Sequence, residues 1–226
     1  MPGREVGCRF RWFFCSQITI FTAYTVKMIY WLDLAGVFVF ALSGALAADR
    51  RGMDLFGFLF IALLPAVGGG TMRDIIIGAP VFWVADSIPL WIVVIAAGLT
   101  FLAAPLIQRA ERLLIWADAV GLSVFCAVGA AKTFAITGNP VVAVAMGVVT
   151  AVLGGIIRDV VCNEIPLVLR RDIYATAAFA GSLVYVLLAS LALDQIACLA
   201  ASMLVCFIVR ASALIWGWSL PRRGEF

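Results

Sequence analysis

Ala66-Val67-Gly68-Gly69-Gly70-Thr71-Met72-Arg73-Asp74 reads A-V-x-G-G-x-x-R-D, and the string returns 85 positions later as Ala151-Val152-Leu153-Gly154-Gly155-Ile156-Ile157-Arg158-Asp159. Asp33 and Asp118, Gly36 and Gly121, Val39 and Val124, Phe40 and Phe125, Gly44 and Gly129, and Ala45 and Ala130 hold the same offset. One ungapped offset kept over roughly forty residues marks two copies of a single structural unit. Each copy sets glycines inside a long apolar run and closes on an Arg-Asp step.

The 226 residues are 65% hydrophobic and 13% charged, with a mean hydropathy of +1.12. A soluble domain cannot hide that much apolar surface; a polytopic helical membrane protein need not. The net charge of +3 comes with no basic stripe to track phosphates, so nucleic acid is not an expected partner. Histidine is absent, which removes the commonest transition-metal ligand and general base, and no G-x-S-x-G or H-E-x-x-H occurs. No enzymatic activity, metal or cofactor is expected. Cys8, Cys15, Cys126, Cys162, Cys198 and Cys206 form no C-x-x-C and read as small core residues.

Residues 1–29 read as an N-terminal extension outside the fold, with a basic, aromatic interfacial helix as the alternative. Seven apolar segments follow, at Tyr30–Ala48, Leu55–Met72, Ile88–Ile107, Leu114–Ile136, Val141–Cys162, Ile173–Leu193 and Ile196–Trp218. Each is near the ~20 residues that cross ~30 Å of hydrocarbon as a helix. The tail Ile75–Ala85, with Gly78 and Pro80, is expected to end the second helix and lie at the surface. The first, third and fifth connections and the C-terminal end carry Arg50 and Arg51, Arg109 and Arg112, Arg170 and Arg171, and Arg222 and Arg223. The other connections carry no Lys or Arg, so the positive-inside rule puts the C-terminus in the cytoplasm and residue 30 outside. Three segments per copy is an odd number, so the copies cross the membrane in opposite senses. The expected fold is an all-α polytopic membrane protein: an inverted pair of three-helix repeats, residues 30–113 and 114–194, a seventh helix over 195–218, and a cytoplasmic tail over 219–226. Inverted repeats are characteristic of transporters and some channels, whose pathway runs between the copies.

Pro65, followed by Gly68, Gly69 and Gly70, is expected to bend or locally open the second helix, and Gly154 and Gly155 to do so more weakly in the fifth. Freed carbonyls beside a water-filled cavity favour cations. The same glycines also suit close helix packing, which membrane helices use routinely. Arg73 and Asp74 are adjacent, as are Arg158 and Asp159, so neither pair faces itself across a helix turn. Depth along the helices allows two symmetry-related bridges, Arg73–Asp33 and Arg158–Asp118; the alternative is that these charges snorkel to water. Lys132 lies 14 residues past Asp118, and its counterpart in the first copy is Ala47. A cation at that depth marks a pathway or else snorkels outward.

These motifs carry a family resemblance. The unit D-x-x-G-x-x-x-F-x-x-x-G followed by the glycine cluster with R-D, twice over Tyr30–Trp218, resembles the prokaryotic relatives of trimeric intracellular cation (TRIC) channels. The resemblance implies a homotrimer in a bacterial-type inner (plasma) membrane, with a pore in every protomer. It implies that the second and fifth helices are kinked at their glycines and line that pore, that K⁺ and less selectively Na⁺ permeate, and that lipid is an expected partner. Gly68–Gly70 matches the family's triple glycine, whereas Leu153 stands where the second copy would carry its first. Lys132 is the candidate for a basic residue tied to voltage gating in eukaryotic members. The bacterial family has also been labelled a glycine transporter, so a secondary transporter of a small solute is the alternative. Passive conduction is favoured because no carboxylate is expected near the midplane.

Overall fold

The computed structural model describes the backbone of residues 5–106, 110–169 and 173–218, and side chains from residue 27 onward within those ranges. Arg109, Arg170, Arg171 and the tail with Arg222 and Arg223 lie outside the described residues, as do the first four residues of the N-terminal extension. The described chain is all-α. The helices are α1 (Glu5–Arg50), α2 (Leu55–Ile76), the single turn α3 (Phe82–Ala85), α4 (Ile88–Ala103), α5 (Ala110–Thr137), α6 (Pro140–Val161), α7 (Ala175–Ser190) and α8 (Gln195–Trp216), with 3-10 turns at Ala104–Leu106 and Leu167–Leu169.

Six helices are long and apolar enough to cross a membrane, the first of them as Lys27–Arg50 within α1. The segment expected over Ile173–Leu193 is helical only over Ala175–Ser190, 16 residues. Leu191 caps it and Ala192 follows at a positive φ of 56°, which halts the helix. The starts of α2, α6 and α8 are set by side-chain caps. Asp54 accepts from the Gly57 N–H, Asn139 from Val141 and Val142, and Asp194 from Ile196 and Ala197.

Packing follows the repeat. Helix α1 lies against α2 and α4, and α5 against α6 and α7, while α1 meets α5 and α2 meets α6 across the centre. Helix α8 covers α5 and α7. At the α1–α5 crossing the Phe40 and Phe125 rings stack at 5.2 Å. Each ring lies over the other copy's glycine: a Cβ on Gly121 would stand 2.5 Å from Phe40 and one on Gly36 3.1 Å from Phe125.

The α2–α6 crossing is closer still. A Cβ on Gly69 would fall within the Thr150 carbonyl, and one on Gly154 would stand 2.5 Å from the Pro65 carbonyl oxygen. The four positions form reciprocal pairs, since Gly69 corresponds to Gly154 and Pro65 to Thr150. Close packing, the other role expected of these glycines, is therefore present at the crossing. Both α2 and α6 are helical without interruption through the motif, with Pro65 inside α2. The missing side chains admit the partner helix's backbone, which is the small-residue packing of membrane helices. Gly70 makes room for the Phe82 ring, 2.7 Å from a Cβ there, and Gly155 for the Tyr174 hydroxyl at 3.0 Å. Gly68 has space on its other side, with only the end of Ile157 within close reach at 3.1 Å.

Gly69→Ala therefore forces two backbones apart and is expected to lower stability by about 2–3 kcal/mol, the upper range for overpacking. Gly98→Ala on α4, where a Cβ meets nothing within 4 Å, is expected to be neutral or to stabilise by up to ~1 kcal/mol through helix propensity. Thermal unfolding of the purified variants in detergent measures both. Equal melting points for the two would show that α2 and α6 are not packed through Gly69.

Candidate functional site

Each Arg-Asp step builds a buried cluster at the end of its helix. In α2 the Arg73 Nε donates to Asp74 Oδ1 at 2.8 Å, and Arg73 Nη1 lies 3.6 Å from Asp33 Oδ1. In α6 the Arg158 Nε donates to Asp159 Oδ1 at 2.8 Å, and Arg158 Nη1 donates to Asp118 Oδ1 at 2.8 Å. The contacts within each step correct the expectation that adjacent residues cannot pair. That rule compares Cβ positions, whereas a guanidinium on three methylenes reaches back to its neighbour's carboxylate. All of these side chains are buried.

The second oxygen of each aspartate fixes the return of the chain. Asp74 Oδ2 accepts from the Phe82 N–H at 3.0 Å, and Asp159 Oδ2 accepts from the Leu167 N–H at 2.9 Å. Before that the helices end alike. Ile77 and Cys162 donate to the carbonyls of Arg73 and Arg158, and Gly78 and Asn163 turn the chain at φ of 68° and 54°. The turn needs the left-handed region, which glycine and asparagine tolerate. The second helices of the two copies thus lead into matching carboxylate-anchored turns, α3 in one and Leu167–Leu169 in the other.

Helices of the opposite repeat complete the clusters. Lys132 Nζ of α5 donates to Asp74 Oδ1 at 2.8 Å. Its side chain is 24% exposed, while Arg73 and Asp74 beside it are at 0%, so Lys132 is where this cluster meets accessible space. At the other cluster, Ser43 of α1 and Arg158 Nη1 are hydrogen-bonded. Partly exposed charged pairs lie beyond. Tyr30 donates to Asp86 Oδ2 at 2.5 Å, and this bond, with the Ile88 N–H second, holds the Asp86 carboxyl below its usual range. On the opposite side Arg51 and Arg50 reach Glu164 at 3.2 and 3.6 Å.

The structure thus brings Asp33, Arg73, Asp74 and Lys132 together at one end, and Asp118, Arg158 and Asp159 at the other. Pro65, Gly69 and Gly154 lie at the helix crossing between the two ends. Several contributors escaped the sequence reading. Ser43 and Tyr174 carry no signal that separates them from other polar residues in apolar helices. Arg210 did carry one, as a lone charge in the apolar run Met203–Trp216. It is buried, with its guanidinium carbon 5.0 Å from the centre of the Tyr174 ring.

A family model described as glycine transporter matches residues 30–105 and 115–190. A UPF0126 membrane protein of Vibrio cholerae is 40% identical over 88% of this chain and 84% of its own length. The UPF0126 inner membrane protein YadS of Escherichia coli is 42% identical over 86% of this chain and 95% of its own. Among solved structures, the TRIC trimeric intracellular cation channel orthologue from Rhodobacter sphaeroides superposes with a TM-score of 0.82 at 40% identity, covering 85% of this chain and 100% of that one. A prokaryotic TRIC channel in 0.5 M KCl superposes with a TM-score of 0.80 at 28% identity, covering 86% of this chain and 100% of that one. The doubled glycine and Arg-Asp motif, its inverted helical frame and these likenesses together make the chain a membrane protein of the TRIC family, the family whose model bears the glycine-transporter description.

Proposed function

We propose that the protein is a passive monovalent cation channel that conducts K⁺ through a pore within each protomer, between its inverted repeats. The observation that carries this reading is the likeness to TRIC channels over 85% of the chain, 0.82 in TM-score at 40% identity. The site supports it. The buried carboxylates sit in two clusters at opposite ends of the repeats, each already engaged by an arginine. Such an arrangement offers permeating cations polar entrances without an uncompensated carboxylate between them to trap an ion. A secondary transporter of glycine is the second reading, and the family description favours it.

The functional unit we propose is a homotrimer in a bacterial-type inner membrane, with the C-terminus in the cytoplasm and lipid around it. Pro65 and the glycines Gly68, Gly69, Gly70, Gly154 and Gly155 hold α2 and α6 at the pathway. Lys132 is the gating charge. Its ammonium alternates between Asp74 and the permeation path. Two unit charges ~6 Å apart repel by nearly 3 kcal/mol at an effective dielectric near 20, enough to exclude a cation. The membrane field acts on such a charge with ~2.3 kcal/mol per 100 mV across the full thickness, so voltage can move it.

In liposomes the purified protein is expected to pass K⁺ down its gradient with no added solute. Ion-driven accumulation of glycine, without K⁺ leak, would instead establish the transporter. Lys132→Gln is expected to raise conductance or weaken voltage dependence severalfold while leaving assembly intact. Single-channel records that match the parent in amplitude and voltage response would exclude Lys132 as the gate.

The proposed sidedness has its own check. In a background free of native cysteine, a cysteine at Ser87 or Asn139 is expected to react with an impermeant thiol reagent from outside the cell. One at Arg51 is expected not to react, and the opposite pattern would invert the topology.

A further inference from the structure

Lys132 completes the charge of the cluster it joins. Two carboxylates, Asp33 and Asp74, face Arg73, and Lys132 Nζ donates to Asp74 Oδ1 at 2.8 Å. In their ordinary ionised forms these four groups sum to zero. Without the ammonium they carry one net negative charge, and Asp33, Arg73 and Asp74 are all buried. An uncompensated charge in such a place is strongly unfavourable. Lys132 itself is partly exposed, so its ammonium stands where buried carboxylates meet accessible space. A motion that takes it off Asp74 therefore needs another positive charge in its place.

Two oxygens are available to hold that charge. Asp74 Oδ2 is committed to the Phe82 N–H, which leaves Oδ1, the oxygen that Lys132 and Arg73 Nε share. Asp33 is less committed. Its Oδ1 lies 3.6 Å from Arg73 Nη1, just beyond hydrogen-bond distance, and accepts no hydrogen bond among the described residues although it is buried. Buried carboxylate oxygens are normally paired. Asp33 is close enough to interact with the charges of both Lys132 and Asp74. The corresponding arginine of the other copy is drawn in more tightly, since Arg158 meets Asp118 and Asp159 both at 2.8 Å. Where Lys132 is present, the repeat's arginine thus leaves a buried aspartate with spare capacity. An ammonium group and K⁺ carry the same charge and are nearly the same size.

We propose that Asp74 and Asp33 form a binding site for one monovalent cation, and that Lys132 and the permeating ion compete for it. With Lys132 engaged, the site is filled by the protein's own cation. With Lys132 withdrawn, K⁺ or Na⁺ restores neutrality, whereas a divalent ion would leave an excess positive charge. A ligand that binds only one of two states shifts the balance towards it, so the ion stabilises the released position of Lys132. The consequence for gating rests on the channel reading; the binding of a cation does not.

Lys132→Gln removes the competitor. In detergent its thermal midpoint is expected to rise by a few degrees, saturably, when K⁺ replaces N-methyl-D-glucamine at constant ionic strength, because a ligand of the folded state raises apparent stability. The parent is expected to show a much smaller rise. Adding Asp33→Asn to the glutamine variant is expected to weaken the apparent K⁺ affinity severalfold, and crystals of the glutamine variant soaked in Tl⁺ to show anomalous density against Asp74 Oδ1. Equal K⁺ shifts in the parent and the glutamine variant, or a shift untouched by Asp33→Asn, overturn the site. So does a midpoint that rises on acidification but not with K⁺, which would put a proton in the place of Lys132.

Should Lys132→Gln not fold in either salt, the parent decides. In planar bilayers, about tenfold more K⁺ on the Asp74 side at constant ionic strength is expected to raise its open probability, the ratio of released to engaged Lys132 changing by up to about tenfold. An open probability indifferent to K⁺ overturns the competition. A parent that passes no current refutes the channel reading and leaves the thermal shifts to decide the site.

Discussion

The aspartate that ends each repeat's second helix uses both of its oxygens, and the surrounding structure depends on that. One oxygen of Asp74 or Asp159 takes its own arginine; the other takes a backbone N–H eight residues on, at Phe82 or Leu167. The first bond keeps a guanidinium buried and aimed at Asp33 or Asp118. The second folds the chain back under the helix end. Breaking one partner of a buried pair typically costs about 3–5 kcal/mol, because it strands the other charge. Replacing a whole cluster by apolar residues carries no such penalty, so these charges are better explained by what they position than by stability.

Around this constraint the two repeats are alike in geometry and unlike in chemistry. Position 65 is proline, which cannot donate to the carbonyl one turn back, whereas its counterpart Thr150 sends its hydroxyl to the Met146 carbonyl at 2.6 Å. Both perturb the same turn, and both present a carbonyl to the other helix's glycine. The differences that matter for ions are at the next layer. Lys132 faces one cluster where Ala47 stands in the other copy, and α8 adds Arg210 with no symmetry mate. A symmetric scaffold thus carries different charged side chains at its two ends.

The repeat, its inversion and the clustering of charge were legible in the sequence because each is a matter of order and spacing. The offset between Asp33 and Asp118 was visible, and helix geometry put each near the end reached by Arg73 or Arg158. What the glycines do was not legible. A bend beside a pathway and close packing leave the same trace in a string of letters, and the place of Thr150 adds only that Gly69 is closely packed. Arg73 with Asp74 misled for a related reason, since spacing rules describe where side chains begin and not how far a long one bends. Arg210 was readable as an anomaly, but its partner Tyr174 comes from another segment, and no periodicity links them.

The brevity of α7 bears on how voltage is felt. Sixteen residues rise only about 24 Å at ~1.5 Å each, less than the ~30 Å of an average hydrocarbon core. Its first-repeat counterpart α4 also has 16 residues and runs on into the 3-10 turn at Ala104–Leu106. A short span is met by thinning of the bilayer or by loops that bring water inward. The carboxylate-anchored turns lie just before α4 and α7, so polar backbone anchors and short spans occur together in both repeats. Where the bilayer thins to match a span of this length, a transmembrane voltage drops over a shorter distance. The same millivolts act as a steeper local gradient, and a side chain has to move only a short way to sense most of the potential.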